Sequence, residues 1–88
     1  MAKKFKLLFT REFLKESKRI DRSAQIRILR ELRLLEEDPY IGKRLHGALT
    51  RFLSLRIGDY RAIYEILNDQ VVIRTVGHRK AVYQRFQL

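Results

Sequence analysis

Residues 52–77 read FLSLRIGDYRAIYEILNDQVVIRTVG, and this stretch decides the fold. Two dipeptides interrupt it, Gly58-Asp59 and Asn68-Asp69, each flanked by β-favouring residues. Two-residue turns of this kind join neighbouring antiparallel strands. The spacing therefore predicts a meander of strands over 52–57, 60–67 and 70–77. A turn at 58–59 sets Ile57 opposite Tyr60, Arg56 opposite Arg61 and Leu55 opposite Ala62. A turn at 68–69 sets Leu67 opposite Gln70, Glu65 opposite Val72, Ile63 opposite Arg74 and Arg61 opposite Val76. Strand side chains alternate between faces. One face then collects Leu53, Leu55, Ile57, Tyr60, Ala62, Tyr64, Ile66, Val71, Ile73 and Thr75, almost all apolar, and needs cover. The other carries Phe52, Ser54, Arg56, Arg61, Ile63, Glu65, Val72, Arg74, Val76 and His78. It is mixed and basic, and is expected to lie open.

The cover comes from upstream. Phe5–Phe9 reads as a short first strand, and Thr10 as the N-cap of a helix over 11–19 with Phe13, Leu14 and Ile20 as apolar contacts. Asp21 caps a second helix. Ala24, Ile28, Leu29, Leu32 and Leu35 recur at three- and four-residue spacing, which predicts an amphipathic helix over 22–37. Asp38-Pro39 ends it, because the residue before proline is pushed out of helical geometry. Residues 39–51, with Pro39, Gly42 and Gly47, read as an irregular connection. The expectation is one α+β domain over 1–88, with a two-helix hairpin packed on one face of a small twisted antiparallel β-sheet.

Composition narrows the function. Eighty-eight residues suit one domain. The chain has no cysteine, so disulfides, thiolate metal sites and cysteine nucleophiles are excluded. No run approaches the ~20 apolar residues of a membrane span, and the N-terminus lacks a signal peptide's apolar stretch, so a cytoplasmic protein with no membrane partner is expected. Twenty Lys and Arg against ten Asp and Glu give a formal net charge of +10, which favours polyanionic or acidic partners. The surplus is uneven. Residues 1–38 hold eleven bases and seven acids, whereas residues 39–88 hold nine bases and three acids, Asp59, Glu65 and Asp69. The site is expected in the second part.

Arg56 and Arg61 stand out there, because like charges directly opposite on a sheet repel. Their planar forks match phosphate oxygens. The plain alternatives are two solvated arginines, or an Arg56–Asp59 pair. Arg74 lies diagonal to Glu65 and is better explained by a salt bridge. Beyond Gly77 follow His78, Arg79, Lys80 and Tyr83, which converge on the same open face if the register holds. The sequence has no glycine-rich phosphate loop, no metal-ligand spacing and no Ser-His-Asp arrangement. No cofactor is expected. A nuclease built from these residues would be metal-free, using the 2′-hydroxyl of RNA as internal nucleophile while the protein positions the backbone and stabilises charge. DNA lacks that hydroxyl.

Leu55-Arg56-Ile57-Gly58-Asp59-Tyr60-Arg61-Ala62-Ile63-Tyr64, then Val76-Gly77-His78-Arg79 and Val82-Tyr83, resembles the C-terminal half of RelE/ParE-type toxins of toxin–antitoxin pairs. Leu45-His46-Gly47-Ala48-Leu49 resembles the approach to the sheet in that family. The order strand–helix–helix–meander agrees from residue 5 to residue 86. The resemblance implies a microbial RNase fold. RelE members are mRNA interferases that cut mRNA in the ribosomal A site, leave a 2′,3′-cyclic phosphate, and are silenced by a cognate acidic antitoxin of RelB type in a hetero-oligomer. ParE members share the fold and poison DNA gyrase. By position, Arg61 matches the arginine on the scissile phosphate, Arg79 the one assisting charge or leaving group, and Tyr83 the tyrosine that orients the nucleophile or moves a proton. Arg56, His78, Lys80, Lys43, Arg44 and Arg51 are the expected RNA-binding residues. One departure is plain: the best-known bacterial branch has two lysines on the strand before the Gly-Asp turn, and this chain has Phe52 and Ser54. No general base transfers to them. The retained Arg61, His78-Arg79 and Tyr83 favour the RNase branch over a gyrase inhibitor; a non-catalytic RNA- or ribosome-binding module is the third reading.

Overall fold

A computed structural model describes residues 4–86. Strand β1 (Lys6–Phe9) leads into helices α1 (Arg11–Ser17) and α2 (Arg22–Leu32), and a 3₁₀ turn over Arg33–Glu36 prolongs α2. The chain continues through a 3₁₀ turn at Pro39–Ile41, strand β2 (Lys43–Arg44) and a further 3₁₀ turn at Gly47–Leu49. Strands β3 (Phe52–Ile57), β4 (Tyr60–Leu67) and β5 (Gln70–His78) form the meander, and helix α3 (Ala81–Arg85) follows. The strands make one sheet in the order β1-β5-β4-β3-β2. The α+β class is as expected, but the sheet is not wholly antiparallel. The helices carry the chain from one sheet edge to the other, so β1 is left beside the last strand and pairs with it in parallel, Lys6 opposite Gln70 through Phe9 opposite Ile73.

Both turns fall on the expected dipeptides, with Gly58 at φ +62° and Asn68 at φ +57°, the left-handed region that glycine and asparagine tolerate best. The β3–β4 register is the expected one, Arg56 opposite Arg61 included. Between β4 and β5 the expectation holds only near the turn. Tyr64 faces Ile73, but then Ile63 faces Thr75, Arg61 faces Gly77 and Tyr60 faces His78. Arg74 is the extra residue of a β-bulge. Its carbonyl accepts from Thr10 Oγ1 at 2.6 Å and its guanidinium lies 3.5 Å from Glu65. The slip reverses three face assignments. Val76 turns to the helix side with Ala62, an apolar residue gaining burial, and His78 joins Tyr60 on that side. Thr75 moves to the side of Ile63.

Thr10 and Asp21 cap their helices as expected, accepting from the backbone N–H of Phe13 and Ala24. The α-helical part of α2 stops at Leu32, yet the tighter 3₁₀ spacing still buries Leu35 three residues on. Phe13, Ile20, Ile28, Leu32 and Leu35 meet the sheet. Leu14 and Leu29, expected to pack with them, are 51% and 47% exposed. Each short helix buries one narrow stripe, and these two leucines lie on its outer margin.

The connection over 39–51 is more ordered than its sequence indicates. Tyr64 reaches it from β4: the hydroxyl donates to the Pro39 carbonyl at 2.7 Å and accepts from the Gly42 N–H at 3.0 Å. Burial pushes this phenol up to about 12. A Cβ on residue 42 would overlap the Tyr64 hydroxyl, so only glycine fits. The anchored segment then adds β2 to the sheet, with Lys43 opposite Ser54 and Arg44 opposite Leu53. The face expected to be open is partly covered. Phe52, Ile63 and Val82 form a second small core, with Leu45, Leu49 and Phe86 packed against it. Phe52 and Ile63 supply the reason, since two large apolar side chains on that face attract a cover.

Candidate functional site

On this second face three side chains from three elements meet at one atom. Arg61 of β4 donates from Nη1 to Ser54 Oγ of β3 at 3.3 Å. Tyr83 of α3 donates from its hydroxyl to the same oxygen at 2.9 Å. Ser54 is 1% exposed and sits mid-sheet, opposite Lys43 on one side and Ile63 on the other. Helix α3 is seated by Val82 in the second core, and Phe86 stands edge-on to Phe52 with ring centroids 4.8 Å apart. Tyr83 stays 38% exposed. It is therefore a partly wet phenol held beside a guanidinium.

Positive charge surrounds this array. Arg56 is directly opposite Arg61 and donates from Nε to the Gly58 carbonyl at 3.3 Å. The Arg79 backbone N–H donates to the Asp59 carbonyl at 2.9 Å, which prolongs the β4–β5 ladder beyond the Tyr60–His78 pair. Arg79 and Lys80 are exposed, and Lys43 is the cross-strand neighbour of Ser54. At the far end Glu65 is buried between two arginines, Arg74 at 3.5 Å and Arg51 at 3.9 Å, and Arg51 also lies over the Phe52 ring at 4.8 Å. The expected Arg74–Glu65 bridge is thus present.

The structure brings Arg61 and Tyr83 together and sets Lys43 and Arg56 beside them, with Arg79 exposed in the turn after β5. It does not bring His78 there. The bulge leaves that ring on the helix side, edge-on to Tyr60 with centroids 5.9 Å apart. Arg44 also faces away, opposite the core residue Leu53, and donates to the Thr50 carbonyl at 2.6 Å. Ser54 and α3 escaped sequence reasoning. The serine had a signal, a small hydroxyl on the basic face one register step from Arg61. Helix α3, five residues long, has too few turns for a periodic pattern. Chemically the array offers guanidinium and hydroxyl groups, and the carboxylate on this face is already ion-paired. Such a surface suits phosphate oxygens.

Comparison with known proteins accords with this geometry. A family model described as ParE toxin of type II toxin–antitoxin system, parDE, matches residues 7–83. No curated protein is a match. Among solved structures, the RelBE2 toxin–antitoxin complex of Mycobacterium tuberculosis is similar at 26% identity and a TM-score of 0.80, covering 85% of this chain and 98% of that one. The RelB–RelE complex of Methanococcus jannaschii is similar at 25% identity and a TM-score of 0.72, over 91% of this chain and 99% of its counterpart. The isolated RelE toxin of E. coli, 20% identical, shares the fold with a TM-score of 0.74, covering 93% and 99%. A sheet crossed by a helical hairpin, a basic face with Arg61 and Tyr83 at its centre, and a family match over nearly the whole chain lead to one assignment: the chain belongs to the ParE toxin family of the RelE/ParE superfamily, the toxins of type II toxin–antitoxin systems.

Proposed function

We propose that this toxin is a ribosome-dependent mRNA endonuclease acting in the A site. The observation that carries the reading is the meeting of the Arg61 guanidinium and the Tyr83 phenol at Ser54, on a face bordered by Arg56 and Lys43. In the proposed reaction the 2′-oxygen of a bound nucleotide attacks the adjacent phosphorus and loses its proton. The bond from phosphorus to the 5′-oxygen breaks, that oxygen takes up a proton, and a 2′,3′-cyclic phosphate and a 5′-hydroxyl remain. Arg61 stabilises the charge on the phosphate oxygens, Arg79 the charge on the departing side, and Tyr83 orients the nucleophile or moves a proton. Arg56, Lys80, Lys43 and Arg51 hold the RNA backbone. Metal is not needed for this chemistry, and Glu65 is engaged by Arg51 and Arg74.

A second surface fits an antitoxin. Leu7, Phe9, Ile26 and Leu29 line an open groove of about 500 Å³ bordered by Arg30, Arg33 and Glu36. An amphipathic helix with apolar and acidic sides complements it, and the +10 charge of the toxin favours such a partner. The partner is a RelB-like acidic antitoxin that folds on the toxin to give a hetero-oligomer.

The gyrase-inhibiting reading draws on the ParE description of the family model and on Phe52 and Ser54 where one RNase branch carries lysines. Toeprinting on translating ribosomes, run beside a supercoiling assay, separates the readings. New mRNA 5′ ends in the A site are expected. Intact mRNA with blocked supercoiling would transfer the assignment to gyrase, and ribosome occupancy without cleavage would reduce it to a binding module.

A further inference from the structure

We infer that Ser54 is a positioning residue, whose buried hydroxyl holds the Arg61 guanidinium and the Tyr83 phenol beside each other before RNA arrives. What those two groups then do rests on the nuclease reading above; the bridge itself rests on geometry. A serine hydroxyl has two lone pairs. Here Arg61 and Tyr83 each donate to that one oxygen, at 3.3 and 2.9 Å. At 1% exposure Ser54 is sealed from a ligand, so it acts only through its two donors.

Its place in the sheet makes it a rigid anchor. Strand β3 is hydrogen-bonded on both sides at this point, to β2 through the Lys43 pair and to β4 through the Ile63 pair. The groups it holds are less constrained by themselves. Arginine has a long side chain with much rotamer freedom, and α3 has only five residues, too few to be a stable helix alone. One fixed acceptor restricts both, so less ordering remains for the moment of phosphate binding.

The residue type follows from the space and the charge. A lysine here would add a further cation beside Lys43, Arg61 and Arg56 and would accept no hydrogen bond. An alanine would offer neither donor a partner. Serine is the smallest side chain that accepts twice. In this chain position 54 thus contributes order where a lysine would contribute charge.

The test pairs spectra with kinetics on the full chain. Arg61 side-chain Nε–Hε and Tyr83 ring signals are recorded by NMR for wild type, Ser54→Ala and Tyr83→Phe. Single-turnover cleavage on mRNA-programmed ribosomes is measured for the same proteins and for the double variant. In Ser54→Ala both signals should move while the amide signals of α1 and α2 stay, and cleavage at saturating ribosomes should fall about tenfold with ribosome affinity unchanged. The double variant should lose less than the product of the two single losses, because with the phenol gone Ser54 has only Arg61 left to position. Tyr83→Phe, altered at a residue that is 38% exposed, should shift the Arg61 signal even if Ser54→Ala fails to fold. Unmoved Tyr83 and Arg61 signals in the variants overturn the bridge, and so do independent losses that multiply in the double variant. Wild-type protein that leaves mRNA intact overturns the nuclease reading instead, and the spectra then decide the bridge alone.

Discussion

Replacing Arg61 by alanine separates catalysis from folding, and the structure sets both magnitudes. Among the described residues the Arg61 side chain has one hydrogen bond, long at 3.3 Å, to Ser54 Oγ. Its loss costs about 0.5–1.5 kcal/mol by the usual range for such bonds, toward the low end at this length. The same substitution removes the like-charge opposition with Arg56, which returns roughly 0.2–1 kcal/mol. The two terms nearly cancel, and stability should stay within about 1 kcal/mol of wild type, a melting shift of no more than about 4–8 °C in a domain of this size. The chemical step should suffer far more. Removing one preorganised donor from developing negative charge typically costs about 10²–10³ in rate. Arg61→Lys should fall between, since it keeps the charge but not the planar fork. Primer extension on stalled ribosomes measures the rate, and thermal melting measures the fold. Cleavage within threefold of wild type would refute the assignment of Arg61 to the phosphate. A melting loss well beyond that range would show that the arginine holds the sheet together, contrary to the geometry.

Arg79→Ala should likewise reduce cleavage about 10²–10³-fold with little effect on melting, because its one described bond is through the backbone N–H, and unchanged cleavage would remove it from the site. Tyr64→Phe should lower stability at neutral pH by about 1–3 kcal/mol, since the Pro39 carbonyl and Gly42 N–H lose their shared partner. The Tyr64 phenol rises from 10.0 to about 12 on folding, so the wild type keeps this contribution below pH 10 and loses it as pH climbs toward 12. Urea melts from neutral to strongly alkaline pH should therefore show a shallower alkaline decline in the phenylalanine variant; an identical decline would refute the account. Association with an acidic antitoxin should slow markedly from low to physiological salt while dissociation changes less, and a salt-independent association rate would contradict electrostatic steering.

Local chemistry made most of the fold legible. Gly58-Asp59 and Asn68-Asp69 fixed the meander, and Thr10 and Asp21 fixed the helix starts, because each acts through its own backbone neighbours. The misreadings arose where distant residues decide. The bulge at Arg74 depends on Thr10 and Glu65, 64 residues before it and nine before it along the chain, and no local pattern contains both. It alone moved His78 off the basic face. Strand β2 exists because Tyr64 secures Pro39 and Gly42, again a long-range cause. Leu14 and Leu29 fit the helical period and still lie half exposed, since periodicity gives the apolar side of a helix but not how much of it the sheet covers. At the candidate site, the structure joins two residues the family-like motif pointed to, Arg61 and Tyr83, whereas the serine between them emerged only once the strands were in register.

The parallel pairing of β1 with β5 has a consequence for the birth of the molecule. Residue 6 finds its partner in residue 70, 64 positions later. At the ~5–20 residues per second of protein synthesis, β1 waits about 3–13 s for the strand that completes its pairing. Long loop closures of this kind also fold slowly. The segment carrying Tyr83 is made later still. Through most of its synthesis the polypeptide therefore cannot possess the finished basic face, and a protein that captures the half-built sheet meets it before it is able to do harm.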